Sequence, residues 1–252
     1  MSQPNRQLVI ESTEDQAATF AATIVETIIC ETVGQRKVCT IALAGGTTPH
    51  MLYQRLAASA ISSEVPWSDV EVFFGDERAV PHDDIDSNYR MAQRTLLDNL
   101  PIEPSRVHPM PADADDLQAA AQEYEQTIRR VIPAEGGAIP RFDLVLLGMG
   151  AEGHTASLFP RTDVLNERTK LVAAYFVPVL GRNRMTFTYP LINAARNVMV
   201  LVTGEDKADA IGKLIKENQP GNPDLPIGNV NPTDGKFFII VDAAAGKNAS
   251  SG

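Results

Sequence analysis

Basic residues are scarce and scattered in this 252-residue chain, where 22 lysines and arginines face 32 aspartates and glutamates for a formal net charge of −10. No basic block offsets that charge, which argues against nucleic acid and anionic membranes as partners. An anionic small molecule is still admitted, provided a few local cations and backbone amides hold it. The opening residues MSQPNRQLVIESTEDQ lack the basic start and apolar core of a signal peptide. No apolar run approaches the roughly 18 residues that cross a bilayer, so a cytoplasmic location is expected. Cysteine is nearly absent: Cys30 and Cys39 lack metal-type spacing and are read as buried free thiols. There is no G-x-S-x-G nucleophile elbow, no Walker loop and no internal repeat. With no convincing boundary either, residues 1–245 are read as one domain and 246–252 as a disordered tail.

What the chain does have is alternation. Apolar runs at residues 8–10, 38–43, 70–74, 144–147, 171–177, 196–202 and 237–241 have strand length, and helical periodicity recurs between most of them. The pattern predicts an α/β fold, with a mainly parallel central sheet and helices on both faces. One predicted helix starts near Ser12, Thr13 and Asp15 and stops at Gly34. Another follows the Ala44–Pro49 loop, with Thr47 or Thr48 as its cap and Pro49 at its first position. Ser87 is expected to cap a third helix, and residues 114–131 to form a fourth. His82 reads as a surface residue and His108 as a structural one.

Three loops that follow apolar strands carry chemistry. FDLVLLGMGAEGHTASLFP, residues 142–160, runs from buried strand through a glycine-rich loop to an expected helix start, with His154 at the turn. In open α/β sheets, ligands bind just past the carboxyl ends of strands, so His154 is the first catalytic candidate. Gly45, Gly46 and Thr47 form a strand-loop-helix start of the kind that cradles phosphate with free amides. Gly75-Asp76-Glu77-Arg78 packs charges directly after a buried strand, a costly arrangement unless the charges are paired or meet a ligand. Farther on, Lys207 opposes the dipole at a helix start, which is reasonable if it meets an anion.

Four stretches together resemble the 6-phosphogluconolactonases: LAGGTTP at 43–49, GDERAVP with SNY at 75–81 and 87–89, GMGAEGHTASLFP at 148–160, and RMTFTYPLINAARNVMVLVTGEDKA at 184–208. The related glucosamine-6-phosphate deaminases typically carry DEY where this chain has Asp76-Glu77-Arg78, and lack the continuation from Thr155 to Pro160. The resemblance implies a modified Rossmann-like fold of the sugar-phosphate isomerase/deaminase type. It also implies hydrolysis of 6-phosphoglucono-δ-lactone in the pentose phosphate pathway, with no metal or organic cofactor. The expected partner is that small lactone, and a monomer is compatible with the sequence.

By this resemblance His154 activates water, Gly45, Gly46 and Thr47 form the phosphate or sugar loop, and Arg78, Arg184 and Lys207 bind the substrate. Thr47 stands where the family often has Ser, and Glu152 where Asp is common. Arg182 competes with Arg184 for the phosphate, and the R-x-T pattern selects Arg184. Neutral imidazole suits general-base work near pH 7. Either Glu152 or Asp76 is expected to orient the ring or the water, with Arg78 or the glycine-loop amides at the oxyanion. A deaminase in which Asp76 abstracts a proton, and a non-catalytic sugar-phosphate sensor, are the alternatives.

Overall fold

The computed structural model describes residues 5–60, 64–216 and 221–249. In chain order its strands are β1 (Asn5–Glu11), β2 (Cys39–Leu43), β3 (Val70–Phe74), β4 (Asp76–Arg78), β5 (Val107–His108), β6 (Leu144–Leu147), β7 (Val172–Val177), β8 (Arg182–Phe187), β9 (Asn197–Val202) and β10 (Lys236–Asp242). The helices are α1 (Glu14–Arg36), α2 (Thr47–Ala60), α3 (Asn88–Thr95), α4 (Leu117–Val131), α5 (Tyr189–Ala194), α6 (Ala208–Lys216) and α7 (Ala243–Gly246). Seven strands form one sheet in the order β1-β10-β9-β6-β2-β3-β5, every pair parallel. β2, β6 and the interior of β9 are buried throughout, which explains their predominantly apolar sequences.

The strand order places the site. From β2 the chain steps outward through β3 to β5, then returns to lay β6 on the opposite side of β2. The order therefore reverses between β2 and β6, and the loops that leave their carboxyl ends part there, opening a crevice. β3 and β9 flank this pair, so the segments after four consecutive strands face the same opening.

A second sheet, antiparallel and three-stranded in the order β4-β8-β7, was not foreseen from the sequence. It begins one residue after β3. Gly75 donates its N–H to Leu43 O at 2.8 Å and accepts from Phe187 N at 2.7 Å, which fastens β8 to the ends of β2 and β3.

Other expectations are corrected. Gly34 does not end α1, which continues to Arg36 and closes on Lys37 in a left-handed conformation (φ 70°). α2 begins at Thr47, because His50 N donates to Gly46 O; Gly46 is the cap and Pro49 the third helical residue. No helix follows His154. The chain instead forms a tight turn bridged by Thr155 and Leu158. Cys30 is exposed, while Cys39 is buried and burial pushes its thiol pKa up. His82 is half-buried against Tyr89, with Nε2 at 2.8 Å from Met110 O. Of the expected disordered tail, residues 246–249 are packed, with Asn248 donating to Asp209, and 250–252 lie outside the described residues. α1 has 23 residues, and an 18-residue window of it has a mean hydropathy of 1.3, so by length and composition it could cross a membrane. However, Ala17, Ala18, Ala21, Val25 and Ile29 are buried inside the protein, as in a core helix.

At the amino ends of the strands Asp143, 5% exposed, accepts from Arg36, from Arg196 Nε at 3.2 Å, and from Thr40 N and Oγ1 at 2.9 and 3.1 Å. This ties β2, β6 and β9 together. Asp143→Ala is expected to lower unfolding free energy by about 3 kcal/mol, since it orphans a buried N–H and two guanidinium groups that retain partial access to solvent. Urea unfolding measures this, and a loss below about 0.5 kcal/mol would contradict the linking role.

Candidate active site

A cavity of about 340 Å³ opens at the switch point, and its wall contains all nine residues singled out from the sequence: Gly45, Gly46, Thr47, Asp76, Arg78, Glu152, His154, Arg184 and Lys207. Each arrives by a different local route. Tyr53 of α2 clamps the start of the first glycine loop, donating to Ala44 O at 2.7 Å and accepting from Ala44 N at 2.9 Å. As the first residues of α2, Thr47 and Thr48 leave their amides without intrahelical acceptors, and both line the cavity. A side chain at Gly45 is excluded, since a Cβ there would lie 1.8 Å from Asn88 Oδ1.

After β6 the chain reverses, with Gly153 N donating to Gly150 O at 2.9 Å and Gly150 N to His154 O at 3.0 Å. The imidazole of His154 folds back over Gly150, where a Cβ would sit 2.1 Å from Nδ1. Phe159 stacks on the ring, with centroids 4.3 Å apart. Nδ1 lies 2.9 Å from Glu152 Oε1. That hydrogen bond, with Lys207 as a weaker cationic influence, pushes the Glu152 carboxyl down to about 2. An ionised carboxylate only accepts, so Nδ1 carries the proton and Nε2 holds the lone pair. The pairing stabilises the fold fully above the ordinary carboxylate pKa, and that contribution is lost as pH falls through about 2. Glu152 is half-exposed, so solvent screens the effect.

The β4 tripeptide alternates as a strand should. Asp76 and Arg78 line the cavity, whereas Glu77 points away, wholly buried. The Glu77 carboxylate accepts from Arg78 N, Asn88 N and Tyr89 N, each at 2.8 Å, and from Ser87 Oγ at 3.1 Å. It therefore joins β4 to the start of α3, although burial raises its pKa. Asp76, 7% exposed, accepts from Ser157 Oγ at 2.7 Å and from Asn88 Nδ2 at 3.3 Å. Of the two carboxylates considered for the ring, Glu152 is the one bonded to it.

Arg78 and Arg184 stand directly opposite each other in the β4–β8 ladder. Like charges so placed repel, and the Nε of each is buried with no protein partner among the described residues. Burial lowers the Arg184 pKa, and Arg78 lowers it further. Arg78 donates to Asp86 O. Arg182 pairs with Asp86 Oδ2 at 2.8 Å, outside the cavity wall. Lys207 is the last residue of a short turn before α6 and pairs with Asp206. The arrangement is a base with a fixed tautomer beside a cluster of cations. Ser157 and Asn88, both buried in the wall, were not singled out from the sequence, although they stand within the SNY and TASLFP stretches. Among the described residues no group of three or more His, Cys, Asp or Glu side chains is arranged to hold a metal.

Residues 12–239 match the family described as glucosamine-6-phosphate isomerases/6-phosphogluconolactonase. A 6-phosphogluconolactonase from Synechocystis is 40% identical over 245 residues, covering 97% of this chain and 95% of the relative. The human 6-phosphogluconolactonase is 37% identical over 241 residues, covering 95% and 92%. Among solved structures, a 6-phosphogluconolactonase from Trypanosoma cruzi superposes with a TM-score of 0.83 at 29% identity, covering 99% of this chain and 98% of its own. A monomeric glucosamine-6-phosphate deaminase at 22% identity, with a TM-score of 0.81, shares the fold.

The tautomer is directly measurable. In ¹⁵N-labelled protein, at a pH where the ring is neutral, His154 is expected to show a protonated Nδ1 and a bare Nε2, and Glu152→Ala to shift the ring toward the other tautomer. An Nε2-protonated ring in the unmodified chain would overturn the assignment.

Proposed function

The chain belongs to the family of glucosamine-6-phosphate isomerases and 6-phosphogluconolactonases, and we propose that it hydrolyses 6-phosphoglucono-δ-lactone to 6-phosphogluconate, with His154 as general base. This is the step of the oxidative pentose phosphate pathway named by the resemblance, and a cytoplasmic location belongs to the same reading. The observation that carries it is an imidazole whose Nδ1 is held by Glu152, in one cavity with Arg78, Arg184 and Lys207.

A δ-lactone is an activated ester and needs little beyond a positioned water, a base and neutralisation of the oxyanion. Nε2 of His154 takes a proton from water as the water oxygen bonds to C1. Glu152 favours the imidazolium that forms. Arg78 and the free amides at the start of α2 are the donors available to the tetrahedral oxyanion. Collapse breaks the bond from C1 to the ring oxygen, which leaves as the C5 hydroxyl after taking the proton back from His154. The new carboxylic acid ionises and releases one proton to solution. Arg184 and Lys207 grip the 6-phosphate, a group remote from the reacting carbon and alike in ground and transition states.

The test is continuous acid release from fresh lactone. His154→Ala is expected to lower kcat by about 10²- to 10⁴-fold, and near-native turnover in that variant would remove the base. Arg184→Ala and Lys207→Ala are expected to raise KM by roughly tenfold or more with kcat little changed; a loss confined to kcat would contradict the phosphate assignment. The unphosphorylated lactone is expected to react with kcat/KM lower by about two orders of magnitude. Ammonia release from glucosamine 6-phosphate in place of acid release from the lactone would reassign the chain to deamination.

A further inference from the structure

Ser157 has no task in the mechanism above, yet it is among the most tightly held residues of the cavity wall. Its N–H donates to Thr186 Oγ1 at 3.1 Å and its carbonyl accepts from Tyr175 OH at 2.7 Å. Ala156 just before it adopts φ 47°, a left-handed conformation that is uncommon and strained for a residue with a side chain. Leu158 N closes the turn on Thr155 O at 2.9 Å. The result is a hydroxyl, 1% exposed, aimed at Asp76 Oδ2 from 2.7 Å.

From the opposite side Asn88, 2% exposed, donates Nδ2 to Asp76 O at 2.9 Å and to Oδ1 at 3.3 Å. Each carboxylate oxygen thus carries one buried donor. A carboxylate has about four acceptor positions, so acceptor capacity is left over, and Asp76 itself lines the cavity. His154 does not use it, because Nδ1 belongs to Glu152. A lactone ring that carries several hydroxyl groups supplies the matching donors.

We propose that Ser157 and Asn88 are positioning residues that fix Asp76 as the acceptor for a ring hydroxyl of the sugar lactone. The inference rests on the proposed lactonase reading. It gives the Asp76 carboxylate a part in substrate recognition distinct from the arginines, which take the anionic groups. The strained turn at Ala156 then serves to aim one hydroxyl at one carboxylate oxygen.

The test is a double-mutant cycle on the full chain, with Ser157→Ala, Asp76→Ala and the double variant, read as dissociation constants for 6-phosphogluconate and as kcat/KM for acid release. Ser157→Ala is expected to melt cooperatively and to lose about 10- to 100-fold in both quantities. The double variant should be no worse than Asp76→Ala alone, within about twofold, and Ser157→Thr, which keeps the hydroxyl, should recover most of the loss. Losses that multiply across the pair, or wild-type values in a folded Ser157→Ala, would overturn the proposal. If Ser157→Ala does not fold, Asn88→Ala enters the same cycle with the same expectation. An unmodified chain that neither binds the product nor releases acid would instead remove the function on which the inference rests.

Discussion

The site depends on one backbone junction, the switch at Gly75 from a parallel to an antiparallel sheet. Its N–H remains in the large sheet on Leu43 O, and its carbonyl already belongs to the small one on Phe187 N. Because the junction spans a single residue, Asp76 emerges directly above the carboxyl ends of β2 and β3. The β4–β8 ladder then brings Arg184 opposite Arg78. Without this second sheet the crevice would have only the glycine loops and Lys207 along its edge. With it, a carboxylate and two arginines form the far wall.

Such a wall is electrostatically expensive, and the surroundings are arranged accordingly. Two guanidinium groups face each other across a ladder while Asp86, the nearest outer carboxylate, is taken by Arg182. The buried Glu77 is stabilised by four donors from β4 and the start of α3 rather than by a counter-charge. Arg78, Arg184 and Lys207 face inward, where a protein of net charge −10 gathers its cations around one cavity, with Asp76 in the same wall and Asp206 paired to Lys207. His154 stands apart from this cluster. Its ring stacks on Phe159 and lies close over Gly150, and its tautomer is set by Glu152, so the loop after β6 positions the imidazole while the β4–β8 ladder and the turn before α6 position the cations.

Much of this was legible because the signals are local. Glycine-rich loops after the apolar runs at 38–43 and 144–147 marked strand ends, the charges at 76–78 were conspicuous directly after an apolar strand, and Lys207 stood out as a cation opposing the dipole at a helix start. Apart from Glu77, which points away, these residues meet in one cavity. The strand order was not legible, because a fully apolar strand fits any interior position, and the small sheet was hidden because alternation in residues 185–188 looks alike in either strand direction. Gly34 misled because the helix runs on through it to Arg36, which pairs with Asp143, and is closed only at Lys37 by a left-handed cap. The helix expected after His154 failed because Thr155 to Leu158 spend their hydrogen bonds on a turn. Ser157 and Asn88 were overlooked for a related reason: each reads as an ordinary turn or cap residue until tertiary structure brings Asp76 between them.

The central claim is that segments following β2, β3, β6 and β9 enclose one substrate, with the imidazole at its acyl carbon and the cations at its phosphate. The most direct measurement is a crystal structure of the complex with 6-phosphogluconate. The account predicts the C1 carboxylate within hydrogen-bond reach of His154 Nε2 and the phosphate on Arg184 and Lys207. A product bound in the reverse sense, or in another cavity, would contradict it.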